Sequence, residues 1–317
     1  IKEGKSKDTP VALISWATRS NQRVITSTLE NVYETAVREN VKPPTLIAVG
    51  DVVELRDKLN FFESKPLFGK NVIVTRSRTQ SSSLVSKISD LGGNPIEVPT
   101  IKIEKIENNI ALENEIKNIK DYTYLILTSK NAVDIFFDKL DEMDLDSRVL
   151  ANLKVCAIGS ATAKEIKNRG IKADIVPEKF VAEYLFEELK DILKDSDKVL
   201  IPRSKNARDF LVDKISEICE VKEVHIYETV LDDSKKDEVL DILNSGEADY
   251  ITFASSSTVT NFVDIIGKEN IDKLNELKVI SIGPITTQTA KSLNINVYNE
   301  AEVSTIDGMI DSIMNDK

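Results

Sequence analysis

Apolar and polar residues follow a regular order along most of this chain. Short apolar runs end abruptly in polar turns, and stretches with apolar positions at helical spacing follow. From Lys70 onward the predicted strands are Val72–Val74, Pro95–Val98, Tyr124–Leu127, Val155–Ile158, Ala173–Val176, Val199–Ile201, Glu223–Ile226, Tyr250–Phe253, Val279–Ile282 and Val297–Tyr298. Alternation of apolar strands with amphipathic helices is typical of a parallel sheet covered on both faces, so the pattern predicts an α/β fold.

The same pattern occurs twice in the sequence. Asn71–Ser89 aligns without a gap with Lys198–Ser216, and LTSKNAV at Leu127–Val133 matches FASSSTV at Phe253–Val259. A third pair follows in the same order, LKVCAIGSATA beginning at Leu153 and LKVISIGPITT beginning at Leu277. A repeated order of blocks is the signature of an internal duplication. We therefore expect two duplicated lobes, each a parallel sheet flanked by helices.

The pattern of apolar and polar residues does not decide how the chain connects the two lobes. Thr100–Ile106 and Ile226–Leu231 are candidate crossings, which would form a two-stranded linker and make one lobe discontinuous. A simple tandem of two lobes satisfies the same periodicity. Residues 1–65 stand outside the repeat, with predicted strands at Val11–Trp16, Val24–Thr26 and Thr45–Val49 and a helix over about 29–40. They form about half a domain, a partial α/β remnant.

The turns that follow the strands are rich in small hydroxyl residues. In open parallel sheets these turns lie at the carboxyl ends of the strands, where ligands bind, and helix N-termini attract anions. Several such turns facing one cleft between the lobes would suit a ligand with many negative charges. The candidate substrate-binding residues are Arg76, Ser129, Thr162, Arg203, Ser255, Ser256 and Thr286. The alternatives are ordinary helix capping for the hydroxyls and a solvated surface for the arginines.

Composition narrows the classes of function. The formal net charge of −11 argues against a nucleic-acid or membrane-surface binder, and no apolar run approaches the ~20 residues that span a bilayer. Two cysteines, Cys156 and Cys219, favour a reducing, cytoplasmic setting. The sole histidine, His225, lies in a predicted strand, and no metal or nucleotide motif is present. An enzyme of this composition would work by positioning a reactive ligand.

Three motifs together resemble uroporphyrinogen-III synthase: VHIYET at Val224–Thr229, FASSSTV at Phe253–Val259, and VISIGPITTQTA at Val279–Ala290. The resemblance covers residues from about 69 to 317. It implies one discontinuous lobe formed by residues 66–100 plus 230–317, and a second lobe over 104–226. It also implies a lyase that removes water from hydroxymethylbilane, inverts ring D and closes the macrocycle without any cofactor.

The resemblance also implies roles for single residues. Tyr227 matches a linker tyrosine that protonates or orients the departing hydroxyl, and a phenol keeps its proton at neutral pH. Thr162 and Thr286 match threonines of the cleft, and Ser256 matches a hydroxyl-rich loop. Ile285 stands where many relatives have threonine. Packing of Tyr227 as an ordinary strand residue is the alternative role, and a non-catalytic two-lobed binding protein for an anionic ligand is the alternative function.

The first 68 residues resemble a different family. TPVALISWATRSNQRVITSTLENV at Thr9–Val32 and the segment from Pro43 to Lys70 are similar to the C-terminal end of S-adenosylmethionine-dependent uroporphyrinogen-III C-methyltransferases. The chain begins with Ile1, and we expect it to be a fragment of a methyltransferase–synthase fusion. Such a fusion would permit channelling of the tetrapyrrole between its two parts.

Overall fold

The chain folds into two compact units. Unit 1 comprises Ile1–Ile101 and Leu231–Lys317, and unit 2 comprises Lys102–Val230. The structure is a computed structural model that describes residues 1–76, 78–179 and 181–315, with the backbone alone for 78–82. Ser77 and the Arg78 side chain, which belong to one of the predicted hydroxyl-rich turns, therefore lie outside the described residues.

The first segment of unit 1 contains a small sheet and the start of a larger one. Its elements are β1 (Pro10–Ser15), β2 (Arg23–Thr28), α1 (Val32–Arg38), β3 (Thr45–Val49), α2 (Arg56–Leu59), β4 (Asn71–Val74), α3 (Arg78–Asp90) and β5 (Asn94–Glu97), and the segment ends at the first residue of β6 (Ile101–Lys105). Strands β1, β2 and β3 form a separate antiparallel sheet with β1 in the centre. A short 3-10 helix, Asp51–Leu55, follows β3.

Unit 2 continues from β6 with alternating helices and strands. Its elements are α4 (Ile110–Lys117), β7 (Tyr124–Leu127), α5 (Lys130–Glu142), β8 (Lys154–Ala157), α6 (Ser160–Asn168), α7 (Ala182–Lys190), β9 (Lys198–Ser204), α8 (Phe210–Ser216) and β10 (Glu220–Leu231). The strand order is β6-β10-β9-β7-β8, and the neighbouring strands from β10 to β8 run parallel.

The chain then returns to unit 1. The remaining elements are α9 (Lys236–Ser245), β11 (Tyr250–Phe253), α10 (Ser256–Ile266), α11 (Ile271–Leu274), β12 (Lys278–Ser281), α12 (Pro284–Ser292), β13 (Val297–Glu300) and α13 (Ile306–Met314). The second sheet of this unit has the order β13-β12-β11-β4-β5, and all its strand pairs are parallel. The predicted α/β fold with parallel sheets flanked by helices is therefore confirmed.

Both faces of each parallel sheet are buried, which explains the short, continuous apolar runs of the sequence. In β7 the side chains of Leu125 and Leu127 pack into one cluster, and those of Tyr124 and Ile126 pack into another. Strand β4 does the same in unit 1. Alternate side chains therefore enter the cores on opposite faces of each sheet.

The duplicated sequence blocks occupy equivalent places in the two sheets. Strands β4, β11 and β12 of unit 1 correspond to β9, β7 and β8 of unit 2, and they are adjacent in the same spatial order. One predicted strand is wrong in extent: Ala173–Val176 contributes only a single bridge, from Ile175 to Cys156. Pro177 follows at once and has no N–H to donate, so the ladder stops there.

Candidate active site

The strand ends of unit 2 bring several of the predicted residues to one edge of the sheet. Ser129 follows β7, Thr162 follows β8, and Tyr227 lies in β10. The strands are adjacent in the order β10-β9-β7-β8, and their carboxyl ends point the same way because they are parallel. Residues distant in sequence therefore share one edge of the sheet.

Ser129 is the N-cap residue of α5. Its backbone is extended, and its Oγ accepts a hydrogen bond of 3.0 Å from the backbone N–H of Ala132. Serine is favoured at this position because its side chain satisfies one of the unpaired N–H groups of the first helical turn. The hydroxyl is thereby held at the positive end of the α5 dipole.

Tyr227 is far from Ser129 in the sequence but contacts it in the fold. The two hydroxyl oxygens, Ser129 Oγ and Tyr227 Oη, are 2.8 Å apart and form a hydrogen bond in which either oxygen can donate. The Tyr227 side chain is buried, with 6% of the residue exposed. A buried phenol usually finds a hydrogen-bond partner, and here the partner is a helix cap.

A β-bulge directs Tyr227 inward. The register between β10 and β9 shifts between His225 and Tyr227, so that Ile226 is the extra residue. Ile226 and Tyr227 are both buried in the same core cluster, although consecutive strand residues normally point to opposite faces. Bulges redirect side chains and are common beside active sites.

A cavity of about 250 Å³ lies at this edge of unit 2. It is lined by Thr128, Ser129, Ile158, Val181, Ala182, Ile201, Arg203, Ser204, Ala207, Arg208, Leu211 and Tyr227. Three of the predicted site residues thus line one cavity. Arg208 was not predicted from the sequence, and its side chain is 76% exposed beside the buried residues. Its position in the polar turn after β9 is the feature of the sequence that could have indicated it.

Arg203 has a different environment from the one predicted. Its side chain is 4% exposed, and its guanidinium forms ion pairs with Glu223 and Asp209. Two further N–H groups donate to backbone carbonyls, to Arg208 at 2.8 Å and to Ala207 at 3.4 Å. Because these partners lie on the turn after β9 and on β10, the geometry assigns Arg203 to holding that turn. This counts against direct substrate binding by its guanidinium.

Thr162 lies deeper than the cap residues. It is the third residue of α6, whose N-cap is Gly159, and it is 4% exposed. Its counterpart Thr286 is the third residue of α12, whose N-cap is Gly283, and is also 4% exposed. The duplication has therefore kept both the position and the burial of the two threonines.

The remaining predicted residues lie at the corresponding edge of the parallel sheet in unit 1. Arg76 is half-buried two residues after β4. Ser255 caps α10 in a reciprocal capping box with Thr258, and Ser256 donates a hydrogen bond of 3.3 Å to the Ile285 carbonyl. Capping thus accounts for Ser255 by itself. Ile285, by contrast, is 76% exposed.

The histidine and the cysteines lie outside this arrangement. The His225 ring is 2.7 Å from a carboxylate oxygen of Glu223, the residue that also pairs with Arg203. Both cysteines are buried free thiols, and burial raises the pKa of the Cys156 thiol to about 12.

Over residues 1–76, 78–179 and 181–315, no group of three His, Cys, Asp or Glu side chains is placed to hold a metal ion. In the same ranges no helix has the length and apolarity that crossing a bilayer requires.

Fold and site together define a duplicated α/β protein whose parallel sheets present hydroxyl-rich turns at their carboxyl ends. Residues 82–311 match the family model described as "Uroporphyrinogen-III synthase HemD". The chain belongs to that family.

Individual relatives agree with this assignment. The chain is 38% identical over 99% of its length to "Porphyrin biosynthesis protein HemD" of Ruminiclostridium josui, and it spans 62% of that protein's length. It is 30% identical over 78% of its length to "Uroporphyrinogen-III synthase" of Synechococcus elongatus, covering 95% of that relative.

Two further comparisons concern a methyltransferase and the fold. "Uroporphyrinogen-III C-methyltransferase" of Bacillus subtilis is 32% identical over 54% of this chain, which covers 34% of that protein. A solved structure of a mutant uroporphyrinogen III synthase from Thermus thermophilus matches with a TM-score of 0.51 at 16% identity. It covers 77% of this chain and 97% of that chain, and it supports the fold alone.

Proposed function

We propose that this chain is a uroporphyrinogen-III synthase, a lyase that cyclises hydroxymethylbilane with inversion of ring D and loss of water. The observation that carries the proposal is the Ser129–Tyr227 pair, a buried phenol held at a helix N-terminus beside a cavity. Family membership supports the reaction class, and the pair supplies a proton donor beside the cavity.

The proposed chemistry begins at the terminal hydroxyl of the substrate. Tyr227 donates its phenolic proton to that oxygen, the C–O bond breaks with its electron pair on oxygen, and water leaves. An azafulvene-type cation and a phenolate remain. Ring D attacks through its substituted carbon, and the spiro intermediate fragments and recombines to close the macrocycle. The proton released on ring closure returns to the phenolate, so the net loss is one water.

The remaining predicted residues are proposed to bind the substrate carboxylates. In unit 2, Thr162 serves this role, together with backbone N–H groups at the first turns of α5 and α6 and with Arg208, an exposed residue that was not among the predicted ones. In unit 1, Arg76, Ser255, Ser256 and Thr286 are proposed to do the same. Arg203 is proposed to act indirectly, because its guanidinium is already engaged with Glu223 and Asp209.

The isomer formed from hydroxymethylbilane tests the proposed function. The purified chain, freed of metal with EDTA, is expected to yield the type III product, separated by chromatography after oxidation to porphyrin. No step of the proposed reaction requires a metal or cofactor. Formation of the type I isomer alone, at the spontaneous rate, would contradict the proposal. Tight substrate binding without isomer control would favour the alternative, a non-catalytic binding protein.

Replacement of Tyr227 by phenylalanine tests its role. Tyr227→Phe should lower kcat by about 10²-fold or more, because the proton donor is lost while the ring still packs. Tyr122→Phe is the matched control. Tyr122 is also buried in unit 2 and donates a 2.5 Å hydrogen bond to Glu115, but it precedes β7 at the opposite edge of the sheet. An equal loss in both variants, or none in either, would remove the proposed role.

We also propose that residues 1–65 are the end of a methyltransferase module in a longer parent protein. A match to the Bacillus subtilis methyltransferase over 54% of the chain supports a relation to that family, and the exposed apolar surface of residues 1–65 supports an interface there. The largely exposed apolar side chains of this segment include Tyr33, Val37, Leu46, Ile47, Val52, Leu59 and Phe61. Large exposed apolar patches mark interaction surfaces.

The methyltransferase proposal has its own test. A protein extended upstream of residue 1 is expected to bind S-adenosylmethionine and to methylate uroporphyrinogen III, and the present chain is expected to do neither. Channelling between the two parts would show as label passing from hydroxymethylbilane to methylated product despite added unlabelled uroporphyrinogen III. Full dilution of the label would exclude channelling.

A further inference from the structure

We propose that Ser129 is a positioning residue that couples the N-terminus of α5 to Tyr227 and stabilises the phenolate formed when Tyr227 gives up its proton. The inference rests on the proposed function and assigns Ser129 a role different from substrate binding. Its basis is a continuous chain of two hydrogen bonds, from the Ala132 N–H to Ser129 Oγ at 3.0 Å and between Ser129 Oγ and Tyr227 Oη at 2.8 Å.

The direction of the second hydrogen bond follows from the reaction. A serine hydroxyl has one proton to donate and two lone pairs to accept with. One lone pair of Ser129 accepts from Ala132, so its proton and its other lone pair remain for Tyr227. When the Tyr227 proton moves to the departing hydroxyl, the phenolate oxygen can only accept. Ser129 must then be the donor.

The helix strengthens this donor. An amide N–H that donates to Ser129 Oγ polarises the serine hydroxyl, and successive hydrogen bonds of this kind reinforce one another in a low-dielectric setting. The oxygen also lies at the positive end of α5, a helix of 13 residues. Charge that develops on Tyr227 therefore meets a donor that is already oriented, and no reorganisation is required during the reaction.

The duplication provides an internal comparison. Ser255 is the equivalent cap of α10 and accepts from the Thr258 N–H, but its Oγ contacts the Ser257 hydroxyl at 3.0 Å instead of a phenol. Capping alone thus requires no tyrosine partner. The contact with Tyr227 is particular to unit 2, where the bulge at Ile226 directs the phenol toward α5.

Three substitutions at Ser129 separate capping from coupling. Ser129→Ala removes both hydrogen bonds, Ser129→Asp keeps a good cap but supplies no proton to the phenol, and Ser129→Thr keeps both functions. We expect kcat to fall by about 10²-fold in the alanine and aspartate variants, with KM changed less than about threefold. The threonine variant should retain most of kcat.

A double-mutant cycle with Tyr227→Phe supplies the decisive readout. If Ser129 acts through the phenol, Ser129→Ala should lower kcat no further in the Tyr227→Phe background. Asp146→Ala is the control for cap loss: Asp146 caps the 3-10 helix Ser147–Leu150 before β8, at the opposite edge of the sheet, and should keep full kcat.

Each outcome decides between the roles. A rise in KM with kcat unchanged would make Ser129 a substrate contact and overturn the positioning role. Full activity of Ser129→Asp, or additive losses in the double variant, would also overturn it. These outcomes require a wild-type chain that forms the type III isomer. Failure of the wild type to form it would instead overturn the proposed function.

Discussion

Arg203 is a buried basic residue whose guanidinium is engaged by other groups of the protein. Its guanidinium joins the turn after β9 to β10 through Glu223, Asp209 and two backbone carbonyls. The turn also holds Arg208, an exposed cation that lines the cavity in unit 2. The buried arginine therefore fixes the backbone from which the exposed arginine extends.

Removal of this guanidinium should destabilise the protein. Arg203→Met keeps the volume of the stem but removes the donor to the two carbonyls and to Asp209, and it leaves Glu223 with the His225 ring as its partner. We expect the free energy of unfolding to fall by about 2–3 kcal/mol, measured by urea denaturation. Lys205→Ala is the matched control, because Lys205 is 58% exposed in a surface ion pair with Glu228 and should contribute less than ~0.5 kcal/mol. Equal small effects of both changes would contradict this assignment.

Helix-capping residues can be predicted from this sequence more reliably than the contacts between side chains on different elements. Ser129 and Ser255 could be predicted because a serine between an apolar strand and an amphipathic helix caps that helix wherever the two elements form. The partners of Arg203 could not, since Glu223 lies on the next strand and its distance depends on the register of that strand. The contact between Ser129 and Tyr227 depends on the β-bulge at Ile226. The order of apolar and polar residues in the sequence gives no sign of that bulge.

At the scale of elements, the internal duplication was the feature of the sequence that best predicted the arrangement of the strands. Two copies of a strand–turn–helix block must form similar structures, so β4, β11 and β12 could be matched to β9, β7 and β8 before their pairing was known. The strand at Ala173–Val176 was overestimated because a short apolar run has the same pattern whether it pairs once or along its length. Pairing is a tertiary property, and local pattern does not contain it.

Helix α13 contains a glycine whose importance the helix pattern conceals. A β-carbon at Gly308 would lie 2.1 Å from the backbone carbonyl oxygen of Val303. Helix propensity alone predicts that Gly308→Ala stabilises the protein by up to ~1 kcal/mol. We expect a loss of about 2 kcal/mol or more instead, because the neighbour is backbone and cannot move aside without distorting the helix cap at Thr305.

Chemical denaturation distinguishes these two outcomes by sign. Asp311→Ala, on the exposed side of the same helix, provides the control and should change the free energy of unfolding by less than ~0.5 kcal/mol. A Gly308→Ala variant more stable than the wild type would show that the Val303 backbone can relax. The close approach would then carry no energetic cost.

At the scale of the whole molecule, the cores are distributed unequally among the parts of the chain. Two clusters of buried apolar side chains lie entirely within unit 2, and two others lie within unit 1 between Leu67 and Ile313. Within the fully described residues 1–65, the buried apolar side chains are Val11, Ala12 and Leu13. That segment therefore buries very little apolar surface of its own.

This distribution predicts which parts fold alone. Unit 2 is continuous in sequence, so a fragment covering residues 102–230 is expected to unfold cooperatively in urea, followed by circular dichroism and by tyrosine fluorescence. A fragment of residues 1–65 should show no cooperative transition, because three buried apolar side chains cannot offset the entropy of ordering the chain. A fragment 102–230 without a transition would mean that unit 2 needs the rest of the chain to hold its sheet. The Ser129–Tyr227 pair, which lies wholly within that fragment, would then depend on contacts beyond its own core.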